Sequence, residues 1–453
     1  MSAPLDFSLI PPLGEPRPHP VPPATETTLA GGLRVVVVPR PGVPLVELRL
    51  RVPFAAPDTG SAGVHAARSG VLAGAVLLGT ASHDQTGLAQ LLQSHGAEMA
   101  VSADSDRLLL STTLLPGGLR PVLDVLAELL TSATYPTDGV EGERGRLAER
   151  ITIARSQPGV IARAALSERR YAGHPYAISL PEPEDVAAVD ADALRALHRE
   201  RVLPAGSSLV LVGDLDPAAA TDAVAAALAT WAGAGAAVES SPAPAQHSPV
   251  LALVDRPGAV QSNIRLGGPA PARTDPDLPA VRLAAMVFGG YFSSRLVENI
   301  RERRGYSYSP RSAVEHLAGA SSFLVEADVA TEVTGPALLE TLYELGRMAL
   351  TPVTEAELDA ARRYVLGSMA LSTATHAGLA STLSALVGAG LPAGWLADHQ
   401  RALEAVTVEQ VQEVSRRYLA PSALTAVVVG DAEQVAASLG ALGDLTVHRD
   451  GGA

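Results

Sequence analysis

Short aliphatic runs, each closed by a turn or a Gly-Asp step, set the rhythm of this chain. VVVV at 35–38 leads through Arg40-Pro41-Gly42 into the alternating VPLVELRL, and LALV at 251–254 leads through Arg256-Pro257-Gly258 into QSNIRL. A β-branched or aliphatic run, a Pro-Gly turn and an alternating strand predict a β-hairpin at each place. Helical spacing takes over elsewhere: LRPVLDVLAELL (119–130) predicts an amphipathic helix, and stretches rich in small residues predict helices over 69–78 and 281–288. A helix and a strand then close each half of the chain. Asp190 and Thr407 stand where helix caps are expected, and the final strands end in Gly213-Asp214 and Gly430-Asp431.

These parallels are a repeat. Val189 pairs with Val406, Pro204 with Pro421 and Gly213 with Gly430, each 217 positions apart, and the two Arg-Pro-Gly turns lie 216 apart. So constant an offset marks a duplication. The expected organisation is a Pro-rich arm (1–24), a first domain (25–235), a linker (236–249) containing SSPAPAQHS, and a second domain (250–453). Each domain should hold a sheet covered by helices on one side, giving an α+β fold of two tandem homologous domains.

Composition narrows the function. The 453 residues are 47% hydrophobic but 4% aromatic, so the cores must be built from Ala, Val and Leu. The net charge of −14 argues against nucleic acid or an anionic membrane as partner, since both need a basic field. There is no cysteine, which removes disulfides, thiolate metal ligands and a Cys nucleophile. The N-terminal MSAPLDFSLIPPLGEPRPHPVPP has no basic-then-apolar signal pattern, and no apolar run of membrane length occurs; a soluble, cytoplasmic protein is expected. The closest two of the eleven histidines, His83 and His95, are twelve residues apart, so no helix can offer two imidazoles one turn apart. No G-x-S-x-G elbow follows a strand, which counts against serine hydrolase chemistry.

From about residue 25 to 440 the order of these signals resembles the pitrilysin/insulinase zinc-peptidase family, in its shorter two-domain branch of paired subunits. The resemblance is carried by HGAEMAVSADSDRLLLSTTLLPGGLRPVLDVLAELL (95–130), by YAGHPYAISLPEPEDVAAVDADALRALHRERVLPAGSSLVLVGD (171–214) and most specifically by GGYFSSRLVENIRERRGYSYSP (289–310). The family's chemistry needs an inverted HxxEH, two histidines holding zinc and a Glu acting as base, with a distant Glu as third ligand. In ARSGVLAGAVLLGT (67–80) the resemblance puts Gly70, Ala73 and Gly74 at the His, Glu and His positions, and in VEGERGRLAERI (140–151) it puts Glu143 at the ligand position. No metal is therefore expected in this chain. His65 reads as an ordinary helix or loop residue, Glu143 as a solvated helix charge, and the Gly70/Gly74 spacing as close helix packing.

The same resemblance gives Arg301 and Tyr308 a task. Their own chemistry describes a charged surface helix, IRERR, stopped at Gly305, with Arg295 tethering it behind a Ser293-Ser294 cap. In the family, such a pair reaches toward the peptide at a partner's zinc, the guanidinium binding a carbonyl or carboxylate and the phenol meeting the tetrahedral oxyanion. The strand-like GAEMAVSADSD (96–106) matches an edge strand that binds substrate by β-addition in catalytic subunits. The expected role is the non-catalytic subunit of a heterodimeric metalloendopeptidase. A homologous HxxEH-bearing partner would supply zinc, the two chains would enclose a clamshell chamber, and the substrate would be a peptide or unfolded polypeptide. The alternative is a structural or peptide-binding scaffold with no part in cleavage.

Overall fold

The computed structural model describes residues 22–449 apart from 234, 237–239 and 245–249. The arm at 1–24 and the linker at 236–249 thus fall largely outside the described residues. Among the described residues, twelve strands form two six-stranded sheets. The first holds β1 (Thr25–Thr28), β2 (Arg34–Pro39), β3 (Val46–Pro53), β4 (Glu98–Ala103), β5 (Arg107–Leu114) and β6 (Ser208–Gly213), in the order β1-β2-β6-β3-β5-β4. The second holds β7 (Leu251–Asp255), β8 (Gln261–Pro269), β9 (Arg311–His316), β10 (Ser321–Ala330), β11 (Thr425–Gly430) and β12 (Leu445–Arg449), in the order β12-β7-β11-β8-β10-β9.

The predicted hairpins are present in sequence order but not as neighbours. Each closing strand inserts between the two arms, β6 running parallel to β2 and antiparallel to β3, and β11 doing the same between β7 and β8. The repeat breaks at one edge: β1 pairs antiparallel with β2, whereas β12 pairs parallel with β7. Gly213 shows why the closing strands end in glycine. A Cβ there would stand 2.2 Å from the Leu45 carbonyl oxygen of the neighbouring β3 segment. The expected caps at Asp190 and Thr407 are made, Asp190 accepting from the Ala193 amide and Thr407 forming a reciprocal box with Gln410. The helix expected at 69–78 begins earlier, spanning Ala62–Ala75 with a tight turn at Val76–Leu78, and that expected at 281–288 spans Leu278–Ala285 before widening into π-type winding.

Helices on one face of each sheet were expected; the structure covers both. Along β2 and β6, Val35, Val37, Leu209 and Leu211 face the domain's own helices, while Val36, Val38, Val210 and Val212 pack with Leu379, Ala380, Leu383 and Val387. Those four lie on the His376–Val387 helix of the second domain. Reciprocally, Ala162 and Leu166 on the Pro158–Arg170 helix of the first domain cover Ala252, Val254, Val427 and Val429. Ala162 and Leu166 stand 217 positions before Leu379 and Leu383, so the exchanged helices belong to the duplication.

The paired arginines of the Pro-Gly turns fasten this exchange. Arg40 donates to the Thr373 and Ala374 carbonyls at 2.8 and 2.7 Å, where the chain enters the visiting helix. Arg256 donates to the Ser156 carbonyl at 3.0 Å, the corresponding place in the other half. Among the described residues no helix is long and apolar enough to cross a membrane.

Because the exchanged helix supplies half of a sandwich, trimming it should cost as much as trimming a core. Leu383→Ala is expected to lower unfolding free energy by about 2–5 kcal/mol, whereas Leu371→Ala, on an exposed position, should stay within about 0.5 kcal/mol. Urea unfolding of the two variants measures the difference.

Candidate functional site

Gly70 and Gly74 lie one turn apart on the Ala62–Ala75 helix and face the Thr137–Ser156 helix. A Cβ on Gly74 would stand 2.5 Å from a carboxylate oxygen of Glu143, and one on Gly70 would stand 3.0 Å from Leu147 Cδ2. The structure therefore brings Gly74 and Glu143 together, with no room for imidazoles between the helices as they stand. Ala73 packs into the apolar core of the first domain. Glu143 is not the solvated charge its sequence setting suggested. Its carboxylate lies over Gly74, largely buried, and pairs with Arg146 at 2.5 Å. Leu147, one turn beyond Glu143, fills the space beside Gly70 and was missed in the sequence; its i+4 spacing from Glu143 was the available signal.

His65 is a core residue. Its Nε2 lies 2.6 Å from the Phe54 carbonyl, and its ring packs 5.5 Å from the Phe54 ring. Burial pulls its pKa below the usual histidine value, against the opposing pull of that carbonyl. Among the described residues, no group of three or more His, Cys, Asp or Glu side chains is placed to hold a metal ion.

Arg301 and Tyr308 belong to the second domain and meet each other. After one turn of α-helix, Arg295–Val297, the backbone over Glu298–Arg303 widens to π-type winding, a departure from the simple IRERR helix expected. Such winding adds a residue to the turn and re-aims the side chains, and is frequent at functional sites. Gly305, at φ +65°, turns the chain back, and the Tyr306 amide donates to the Ile300 carbonyl at 2.8 Å. The Arg301 guanidinium carbon then lies 4.6 Å from the Tyr308 ring centre and 4.9 Å from that of Phe292. Tyr308 is 81% exposed and Phe292 61%. A cation held between two aromatic faces keeps its planar edge of N–H donors available. Apart from an ion pair with Glu302 at 3.3 Å, the Arg301 guanidinium carries no charge partner among the described residues. Phe292 was not singled out in the sequence, where nothing distinguishes it from a core aromatic.

Arg295 does tether this element. It makes a two-point contact with Glu357, Nε and one terminal nitrogen lying 2.6 and 2.9 Å from the two carboxylate oxygens. Glu357 simultaneously closes the capping box of the Glu355–Ser372 helix with Thr354. The proposed serine cap is not made: Ser294 holds the cap position, yet its hydroxyl is buried without a protein partner. The 96–106 segment becomes β4, the outer strand of the first sheet, with alternating exposure.

Comparison with known proteins agrees with the fold. A family model described as Insulinase (Peptidase family M16) matches residues 71–184, beginning inside the Gly70–Gly74 stretch, and one described as Peptidase M16 inactive domain matches 188–365. An uncharacterized zinc protease of Mycobacterium tuberculosis H37Rv is 26% identical, over 89% of this chain and 94% of its own. A non-peptidase homolog of Helicobacter pylori is 22% identical over 78% of this chain and 82% of its own. A crystal structure of a peptidase M16 inactive domain from Pseudomonas fluorescens superposes with a TM-score of 0.83 at 25% identity, covering 90% of this chain and 98% of that one.

The Arg295–Glu357 tether should titrate. Burial alone would raise the Glu357 carboxyl, but the Arg295 fork and the Thr354 amide outweigh it and hold the pKa at about 2, against an ordinary 4.5. A depressed carboxyl stabilises the fold above its unfolded value and loses that contribution as pH falls toward the folded one. Glu357→Gln is therefore expected to cost about 1–2 kcal/mol at pH 7, reduced by solvent at the partly exposed carboxylate, with the difference from the parent closing between pH 4.5 and 2. Unfolding curves across that range check it.

Proposed function

The chain belongs to the M16, or insulinase, peptidase family, and from that premise we propose that it is the non-catalytic subunit of a two-chain metalloendopeptidase. The observation that carries this reading is the glycine face of the motif helix. Gly70 and Gly74 let Glu143 and Leu147 close over the positions where the family holds its metal, leaving one carboxylate and no imidazole. One carboxylate is far short of the three protein ligands a catalytic zinc needs. Zinc and the general base would come from a homologous HxxEH-bearing partner, and the two chains would enclose a chamber between them.

In this reading the exposed Phe292–Arg301–Tyr308 stack is the chain's contribution to catalysis. Arg301 donates to a carbonyl or carboxylate of the bound peptide. The Tyr308 hydroxyl would donate to the oxyanion that develops as water adds to the scissile carbonyl, the partner's zinc supplying Lewis-acid activation. The substrate is a peptide or unfolded polypeptide, since a closed chamber excludes folded proteins, and the work is done in the cytoplasm. A scaffold without a part in cleavage is the second reading, favoured by the name of the Helicobacter pylori relative as a non-peptidase.

The purified chain alone should contain far less than one zinc per chain and show no chelator-sensitive cleavage. Mixed with an HxxEH-bearing homologue from the same source it should support cleavage, and Arg301→Ala or Tyr308→Phe should each lower kcat/KM by about 10–100-fold while leaving assembly intact. Cleavage unaffected by both substitutions in an intact assembly supports the scaffold reading. Tight stoichiometric zinc in the chain alone overturns both.

A further inference from the structure

Three half-buried guanidiniums gather where the second domain meets β3 of the first. Arg51, on β3, lies against the end of the visiting His376–Val387 helix, where a Cβ on Gly388 would stand 2.5 Å from its Nε. Arg282, on the Leu278–Ala285 helix, donates to His399 Nε2 at 2.8 Å. His399 is 4% exposed and stacks on Trp395 with 4.4 Å between ring centres. Arg273 lies in the loop that leads into the Leu278–Ala285 helix, and that helix packs on both β9 and the Trp395–Ala405 helix. His316, the last residue of β9, completes the group, its Nδ1 2.7 Å from the Ser321 hydroxyl.

These groups act on one another. Burial pulls all three guanidiniums below the ordinary arginine value. Arg273 adds to that pull on Arg282, and Arg107 and Arg273 add to it on Arg51, against Asp104 and Asp106. Burial, then Arg273 and Arg282, push His316 down to about 4; burial, then Arg282, Arg273 and His316, push His399 down to about 3.

What the group lacks is an anion. Among the described residues Arg51 and Arg273 make no hydrogen bond or ion pair, and Arg282 makes only the bond to His399. Their free nitrogens keep contact with solvent. The two acids that act on Arg51 are committed elsewhere. Asp104 pairs with Arg107 at 2.8 Å, and Asp106 accepts from Tyr176, Ser240 and the Ala318 amide at 2.6, 2.6 and 2.9 Å. No carboxylate is among the groups that shift Arg273, Arg282, His316 or His399. In a chain of net charge −14, a half-buried cation cluster left unpaired is costly until an anion joins it. A monocarboxylate answers one of the three charges. A phosphate carries about two charges at pH 7, and its tetrahedral oxygens take planar guanidinium forks from a strand, a loop and a helix at once.

We propose that Arg51, Arg273 and Arg282 form a phosphate-binding site at the junction of the two domains, taking inorganic phosphate or the phosphoryl group of a small ester. Arg273 and Arg282 hold the anion from the second domain and Arg51 reaches it from the first. Occupancy relieves the repulsion among the three cations and fastens the domains together. The site shares no residue with the Phe292–Arg301–Tyr308 stack and needs no partner subunit.

The test is calorimetric titration of the full chain with sodium phosphate near neutral pH, together with the shift in Tm, with sodium chloride at equal ionic strength as comparator. One phosphate per chain is expected, with a Tm increase that chloride does not reproduce. Phenyl phosphate separates the two sources: binding of comparable affinity identifies a site open to esters, and its exclusion while phosphate binds identifies one for the free anion. Arg273→Met removes no protein hydrogen bond; it is expected to fold at least as well as the parent without ligand and to weaken phosphate binding at least about tenfold. Arg282→Met is expected to weaken binding to a similar degree and covers the case in which Arg273→Met does not fold. Arg363→Met, at an exposed position of the Glu355–Ser372 helix, is expected to leave binding unchanged. Absence of saturable phosphate binding, an equal Tm shift with chloride, unchanged affinity in folded Arg273→Met or Arg282→Met, or an equal loss in Arg363→Met overturns the proposal.

Discussion

A strand of four consecutive valines can be at rest only where both of its faces are dry. β2 and β6 meet that condition because a helix from the other domain lies across their second face, and β7 and β11 meet it in the same way. Hydrophobic burial is roughly proportional to the apolar area withdrawn from water. An open sheet of this composition would leave a whole face of Val and Leu in solvent, a patch that ordinarily marks an interface or an aggregation site. Exchange of helices solves the problem within one chain. The paired Arg40 and Arg256 clamps are built along the seam that the exchange creates.

The two halves have diverged along different lines from one plan. In the first, Gly70 and Gly74 let two helices settle against each other at a distance set by glycine. In the second, widened helical winding displays an arginine between two exposed aromatic rings. The second keeps polar chemistry at the surface, with Tyr308 and Phe292 largely exposed.

Most of the architecture was legible because it is periodic. The 217-residue offset, the Arg-Pro-Gly turns and the Gly-Asp strand ends each report a local requirement of backbone or turn. What escaped was non-local. That β6 inserts between the arms of a hairpin depends on strand order, which residue spacing does not encode. The exchange could have been suspected from VVVV and LVLV, since continuous aliphatic strands signal burial on both faces, yet nothing local says which helix arrives. At the candidate sites, the missing histidines could be read from spacing alone. The burial of Glu143 and the stacking of Phe292 depend on neighbours distant in sequence, and so did not show.

The crossed-over helices also impose an order on biosynthesis. The first sheet is complete in sequence once β6 has left the ribosome, but the helix that shields its outer face begins only at His376. At about 5–20 residues per second, the interval is on the order of ten seconds. Through that time a nascent chain carries an unshielded strip of valine, and the ribosome-bound intermediate, more than the finished protein, is the species a chaperone would meet.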